Sequence, residues 1–413
     1  MSLNVVPDSA LAAAVAALPG RPRVVASGNH AAPFHALRVI EKSRELWRLY
    51  MLNAPRGIPE SEGVRLETSF VGAGMRDHAE LRYIPSRLSL VPALFRDTRP
   101  PDVVLLHTSV PYDGKVSMGC EVNILPAALE AVKARGGLVV AQVNRHMPYT
   151  YGDGEIDATD IDLAIEADEP LPAPTPREPD DVSRQIADRV AAFIADGATL
   201  QLGIGAVPDA TLAAVRATGL RIWSEMFSDG VLALERAGRL DPDAVLTASF
   251  CFGSAELLAW VDRNPRVRML RTERANDPGH IARQPAMTSV NTAMQVDLWA
   301  QANASYRRGR IYSGFGGQTD FIVGALHSPG GRAVVALPSW HEKTSTSTIV
   351  PQLVQPATSF QHSHIVTEHG AARIFGVSQI EQTRQLVEVT ADPRARDGLR
   401  AAARNFGLAV VPD

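Results

Sequence analysis

Short apolar runs rich in β-formers punctuate the chain. In its first part they fall at 24–26, 103–106 and 138–141. Between the last two, residues 124–134 carry apolar positions at helical spacing and stop at Gly136-Gly137. A strand, a helix closed by glycine and a second strand predict a βαβ unit in a buried parallel sheet. In the second part, Val182, Ile186, Val190 and Ile194 recur every four residues. That stripe predicts an amphipathic helix with one face on a sheet, ended by Gly197. A strand is expected at 199–202, a loop at 203–208, a helix from about Asp209, and a strand at 221–224 that runs directly into Glu225. Further strands are expected at 245–250, 267–270, 310–312, 333–337 and 364–367.

The clearest interruption is 168–181, DEPLPAPTPREPDD, with five prolines between acidic ends. Proline removes backbone donors and disfavours helix in the residue before it, so an extended connector is expected. It divides the chain into an α/β domain at 1–172, a linker at 173–182 and a second α/β domain at 183–413. A length of 413 residues also favours two cores over one. Two α/β halves suggest a duplicated architecture, although no repeat is visible in the residues.

Composition narrows the function. Hydrophobic residues make up 45% and charged residues 21%, an ordinary globular balance. A net charge of −4, with no basic run or zinc-finger spacing, argues against nucleic acid or a membrane surface as partner. Apolar windows such as 11–18 are too short to span a bilayer, and no signal peptide is expected. Cys120 and Cys251 form no CxxC, so neither a disulfide framework nor a zinc site is indicated. A reducing cytoplasm fits.

Three loops could carry chemistry, because ligands of open α/β sheets bind beyond the carboxyl ends of strands. Gly203-Ile204-Gly205-Ala206-Val207-Pro208 could bring backbone N–H groups against a phosphate or an oxyanion. It lacks the dinucleotide fingerprint and the Lys-Ser/Thr of a P-loop, and a tight strand-to-helix turn would read the same. Trp223-Ser224-Glu225-Met226-Phe227 places a carboxylate at a strand end among apolar neighbours; a cap or a salt-bridged surface acid is the plainer alternative. Ser313-Gly314-Phe315-Gly316-Gly317 has three glycines in four positions, suiting close backbone approach to a ligand or a bulge between packed domains. His362, His364, Glu368 and His369 cluster in sequence, but their spacing matches no metal motif, so no metal site is assigned.

At this point the residues resemble the acetyl-CoA hydrolase/transferase family, which includes acetate, succinate and 4-hydroxybutyrate CoA-transferases. The likeness rests on an ordered set. In the first part it comprises YIPSRLS (83–89) and NRHMPYTYGD (144–153). In the second it comprises GIGAVPDA (203–210), SEMFSDG (224–230), SVNTAMQVDL (289–298), SGFGGQTDF (313–321), STIVP (347–351) and IVTEHG (365–370). The resemblance implies two CoA-transferase-like α/β domains with the active site at their interface. It implies Glu225 as the carrier of acyl and CoA groups. It also implies that Gly203, Ile204, Gly205, Ala206, Val207, Gly316 and Gly317 contact CoA or the reacting carbonyl, and that Asn276 lies near the CoA. Coenzyme A is then a substrate and covalent intermediate, with no permanently bound cofactor, and a homodimer or larger homo-oligomer is expected. His369 stands where relatives usually have tyrosine, and Thr348 where many have a basic residue; the loop from Gly205 to Glu225 is slightly short. These departures touch substrate choice more than reaction class.

The chemistry suits such residues. A thioester is already activated, so an ionised glutamate of ordinary pKa could attack it without a separate base. Three readings follow: a transferase between an acyl-CoA and a short-chain carboxylate, an acyl-CoA hydrolase on the same scaffold, and a non-catalytic CoA-binding protein. Gly205 and Gly316 are expected to lie against the thioester or pantetheine part of CoA.

Overall fold

The computed structural model describes residues 3–173, 178–203, 205–354 and 361–408. Part of the proline-rich segment, 174–177, and Ile204 therefore lie outside the described residues.

Two largely parallel sheets organise the chain. The first is seven-stranded, in the order Arg82–Tyr83, Val64–Thr68, Trp47–Tyr50, Arg23–Ala26, Val103–Thr108, Leu138–Asn144, Leu163–Ala167. All its pairings are parallel. The expected βαβ unit is present: Val103–Thr108 pairs with Leu138–Asn144, and helix Leu125–Ala134 crosses between them. Every residue of Val103–Thr108 is buried, because layers cover both faces of a parallel sheet and leave no solvent side to alternate with.

The second sheet is six-stranded, in the order Arg221–Ile222, Thr199–Leu202, Thr288–Thr292, Arg332–Ala336, His364–Val366, Ala371–Arg373, with only the last pairing antiparallel. Helix Asp181–Ala191 covers it with Ile186 and Val190. Asp180 caps that helix by accepting from the Ser183 N–H at 2.8 Å, a contact worth about 1 kcal/mol. The chain then turns through Gly197, whose φ is 72°.

Three local features differ from the sequence reading. Thr288–Thr292 carries no apolar run, yet it is an inner strand with four of five positions buried. Its polar groups are satisfied sideways: Ser289 Oγ donates to Gln201 Oε1 at 2.6 Å, and Asn291 Nδ2 donates to Ser289 Oγ at 2.8 Å. The helix expected from Asp209 begins at Ala206, because Pro208 falls in a first turn whose N–H groups lack intrahelical acceptors. The strand at 310–312 is only Arg310–Ile311, in a small hairpin with Tyr306–Arg307.

The two sheets share one apolar core. A single cluster joins Val104 and Ala141 of the first to Leu200 and Val290 of the second, through Val122, Phe227 and Met269. Backbone bonds cross as well: Cys251 N–H to the Cys120 carbonyl at 2.9 Å, Val71 N–H to Ser313 at 2.8 Å and Leu88 N–H to Gly316 at 3.0 Å. Cys120 and Cys251, 131 positions apart, are thus neighbours, and both are free and buried. Among the described residues no helix is long and apolar enough to cross a membrane.

Candidate active site

Glu225 follows the edge strand Arg221–Ile222 and precedes the short strand Met226–Phe227. Its carbonyl accepts from the N–H groups of Ser249 (2.8 Å) and Phe250 (3.1 Å), which fix its backbone. The residue is half-buried, and its Oε2 accepts from Asn276 Nδ2 at 2.9 Å. Asn276 is fully buried and terminates the helix Thr272–Ala275. Its Oδ1 has no hydrogen-bond partner among the described residues. Gly317 completes the arrangement, since a Cβ there would overlap both Glu225 Oε2 and Asn276 Nδ2. Space, not φ, demands glycine at this position.

Burial pushes the Glu225 carboxyl up to about 7; the Asn276 bond opposes this and the nearby Asp320 charge adds to it. The ordinary glutamate assumed from sequence is therefore replaced by one that is half protonated near neutrality.

Gly317 also caps helix Gln318–His327, so the carboxylate lies beside a helix N-terminus with unused N–H groups. Asp320, in the first turn and fully buried, reaches into the other half: its Oδ1 accepts from Ser89 Oγ at 2.9 Å and faces Arg87 at 3.4 Å. Two segments 231 positions apart, 83–89 and 313–321, thus dock on each other. Gly316 (φ 56°) lies against Phe70, whose ring would meet a Cβ there at 3.1 Å. Gly316 packs on that ring, and Gly317 is the glycine that borders the carboxylate.

The Gly203 loop leaves the carboxyl end of Thr199–Leu202, where strand order in the second sheet reverses. The Leu202 carbonyl accepts from Ser224 Oγ at 3.5 Å, so the loop starts beside Glu225. A Cβ on Gly203 would enter open space, and Gly205 has φ 127°. Ala206 is exposed, while the Val207 side chain belongs to the core and leaves only its backbone for a ligand.

Sequence reasoning missed one group near this site. Glu121, 1% exposed, lies close enough for Glu225 to raise it, although burial is the main reason that its carboxyl rises to about 7. The only local signal was a lone acid inside the small and apolar run Met118-Gly119-Cys120-Glu121-Val122. Two of the departures from the family pattern, His369 and Thr348, have local partners of their own. His369 Nε2 is 3.7 Å from Glu368 and 3.8 Å from Asp392, and Thr348 Oγ1 donates to the Pro338 carbonyl at 2.6 Å.

Comparison with known proteins bears on the family and the fold. The model of the acetyl-CoA hydrolase/transferase C-terminal domain matches residues 253–403. The 4-hydroxybutyrate coenzyme A transferase of Clostridium kluyveri is 35% identical over 411 residues, covering 94% of each chain. The structure of 4-hydroxybutyrate CoA-transferase from Porphyromonas gingivalis is similar with a TM-score of 0.81 at 30% identity, over 98% of each chain. That of RipA from Yersinia pestis is similar with a TM-score of 0.90 at 25% identity, again over 98% of each.

Proposed function

Because the chain belongs to the acetyl-CoA hydrolase/transferase family, we propose that it moves coenzyme A between a short-chain acyl-CoA and a short-chain carboxylate with Glu225 as the carrier. The observation that supports this most is the Glu225 carboxylate itself: accessible at a strand end, held by Asn276 and bordered by Gly317.

In this reading ionised Glu225 attacks the thioester carbonyl. The C–S bond breaks, giving an acyl-glutamyl anhydride and CoA thiolate. The thiolate attacks the glutamyl carbonyl and expels the acyl group as its carboxylate, leaving a glutamyl-CoA thioester. An incoming carboxylate runs the sequence backwards. Asn276 Nδ2 and the N–H groups at the start of Gln318–His327 are the donors beside the developing oxyanions; one such donor is typically worth about 3–4 kcal/mol. Gly203 offers space and the Gly205–Val207 stretch offers backbone for CoA. Coenzyme A is substrate and covalent intermediate, with no resident cofactor. The reading includes two domains parted near 173–182 with the site between them, a cytoplasmic setting and a homodimer or larger homo-oligomer.

The test is exchange between acetyl-CoA and a labelled second carboxylate. Parallel double-reciprocal lines support the transferase. Acceptor-independent release of free CoA makes the protein a hydrolase, and calorimetric binding of acyl-CoA without turnover makes it a binding protein.

A further inference from the structure

Trp223 stands two positions before Glu225 and is unused by the transfer steps. Its backbone belongs to the sheet edge. The Trp223 N–H donates to the Leu200 carbonyl at 3.1 Å, and the next N–H, of Ser224, donates to the Thr247 carbonyl at 3.0 Å. From this fixed base the indole reaches the other partner of the carboxylate. Its Nε1 donates to the Ala275 carbonyl at 2.9 Å, although 52 positions separate the two residues. Ala275 ends the helix Thr272–Ala275 and immediately precedes Asn276. The segments that meet in the Glu225–Asn276 hydrogen bond are therefore tied a second time, beside that bond.

The helix depends on such ties. It is a single turn of four residues, too short to be stable by itself. Its last carbonyls lack intrahelical donors, and Pro278, just beyond, has no N–H to offer them. Its first residue is held from the other half of the chain, where the Asn123 carbonyl accepts from the Thr272 N–H at 3.0 Å. Trp223 holds the last. A turn fixed at both ends presents the following side chain, Asn276, in one direction.

The Trp223 ring has a second attachment. It packs on the apolar cluster that contains Ile281, Phe321 and Ile322. Phe321 and Ile322 lie on helix Gln318–His327, the helix that Gly317 caps. One side chain thus connects the strand end carrying Glu225, the turn carrying Asn276 and the helix whose cap borders both.

We propose that Trp223 is a positioning residue for acyl transfer: through the Ala275 carbonyl, its indole N–H aims the Asn276 amide at Glu225. The proposal rests on the transferase reading of Glu225. Trp223 acts through Asn276 and needs no contact with substrate. Without the indole N–H the Ala275 carbonyl loses its donor, the short turn is held at its first end only, and Asn276 Nδ2 moves away from Glu225 Oε2.

The experiment follows exchange, its pH profile and the melting temperature in Trp223→Phe, which keeps an aromatic ring on the cluster and deletes the donor. kcat should fall by about tenfold or more, since a misplacement of about 1 Å can cost roughly 100-fold, while KM for acetyl-CoA stays the same. The acid limb should move to higher pH, because the Asn276 bond favours ionised Glu225. The titrating groups around this place are kept in the variant: His280, edge-on to the indole with ring centroids 6.4 Å apart, Asp320 and Glu121. Trp223→Phe combined with Asn276→Ala should be no slower than Asn276→Ala alone, because the second change removes the group that the first misplaces. Should Trp223→Phe fail to fold, benzothienylalanine placed at this position alone, with sulfur where the indole has its N–H, is read in the same way. An unchanged kcat, an unmoved acid limb or fully additive losses in the double variant each overturn the proposal. Exchange and an adduct on Glu225 in the wild type, with a normal Trp223→Phe, remove this positioning role alone. No exchange with any donor and no adduct remove the transferase reading and this proposal with it.

Discussion

Asn276 Nδ2 donates to Glu225 Oε2 across 2.9 Å, although 51 positions separate the two residues. The bond ties a strand-end carboxylate to a buried amide at the end of a different helix, and Gly317 closes the third side by having no side chain. A nucleophile held in this way keeps one lone-pair direction fixed while its other oxygen stays available. Such positioning matters because a misplacement of about 1 Å can cost roughly 100-fold in rate.

Glu225→Ala should abolish exchange while leaving the fold and much of the CoA affinity, since most binding energy comes from contacts remote from the reacting carbonyl. Glu225→Asp retracts the carboxylate by one methylene and should be slower by about 100-fold. In the wild type, acyl-CoA alone should leave a borohydride-reducible thioester on the peptide containing Glu225, read by mass spectrometry. Undiminished exchange in the alanine variant would remove Glu225 as carrier.

Asn276→Ala should lower kcat by about 100-fold or more, the usual loss for one oxyanion donor. Its hydrogen bond favours the ionised Glu225, so its loss should also move the acid limb of the pH–rate profile to higher pH. A variant with reduced kcat and an unmoved limb would leave Asn276 a structural role only.

Gly317→Ala should displace the Glu225 carboxylate and cut exchange by about 100-fold while the melting temperature changes little, because the overlapping atoms end flexible side chains. Gly203→Ala puts its methyl into open space and should raise KM for CoA esters if CoA lies along that loop. Normal exchange in Gly317→Ala, measured by the same assay, would contradict the placement of the nucleophile.

In the acyl-CoA half-reaction kcat/KM should rise with pH and reach half its plateau near 7, because burial holds Glu225 protonated below that value. Asp320 raises Glu225 further through its charge, so Asp320→Asn should move the limb to lower pH. A flat profile from pH 5 to 8 would mean that Glu225 is ionised throughout.

Glu121 supplies a stability prediction. Its folded pKa, about 7, lies above an unfolded value of about 4.3. Between these values the native state binds more protons than the unfolded state, so this group's stabilisation is full in acid and is lost as pH rises through 7. Denaturant unfolding of wild type and Glu121→Gln should therefore differ in pH dependence, the wild type losing more stability between pH 5 and 8. Parallel curves would show that Glu121 stays ionised in the folded protein.

Much of the framework was legible in the residues because a parallel strand covered on both faces must be apolar throughout, as 103–106 and 138–141 are. Thr288–Thr292 escaped notice because its buried polar groups are satisfied by Gln201 across the sheet, a compensation that the strand itself does not display. Glu225 was visible as an acid at a strand end. Gly316 and Gly317 were indistinguishable in sequence, and only packing shows one against Phe70 and the other against the carboxylate.

By itself the sequence determined the α/β class, the strand-end position of Glu225, the glycine loops and the family. Each of these is written in local pattern or in an ordered set of motifs. The tertiary structure decided what surrounds the carboxylate: the Asn276 bond, the burial that raises its pKa, the docking of 83–89 on 313–321, and the Trp223–Ala275 bond at its side. The division has one physical cause. Secondary structure answers to neighbours within a few residues. Hydrogen-bond partners and desolvation depend on which distant segments the fold brings within 3 Å, and no spacing along the chain records that distance.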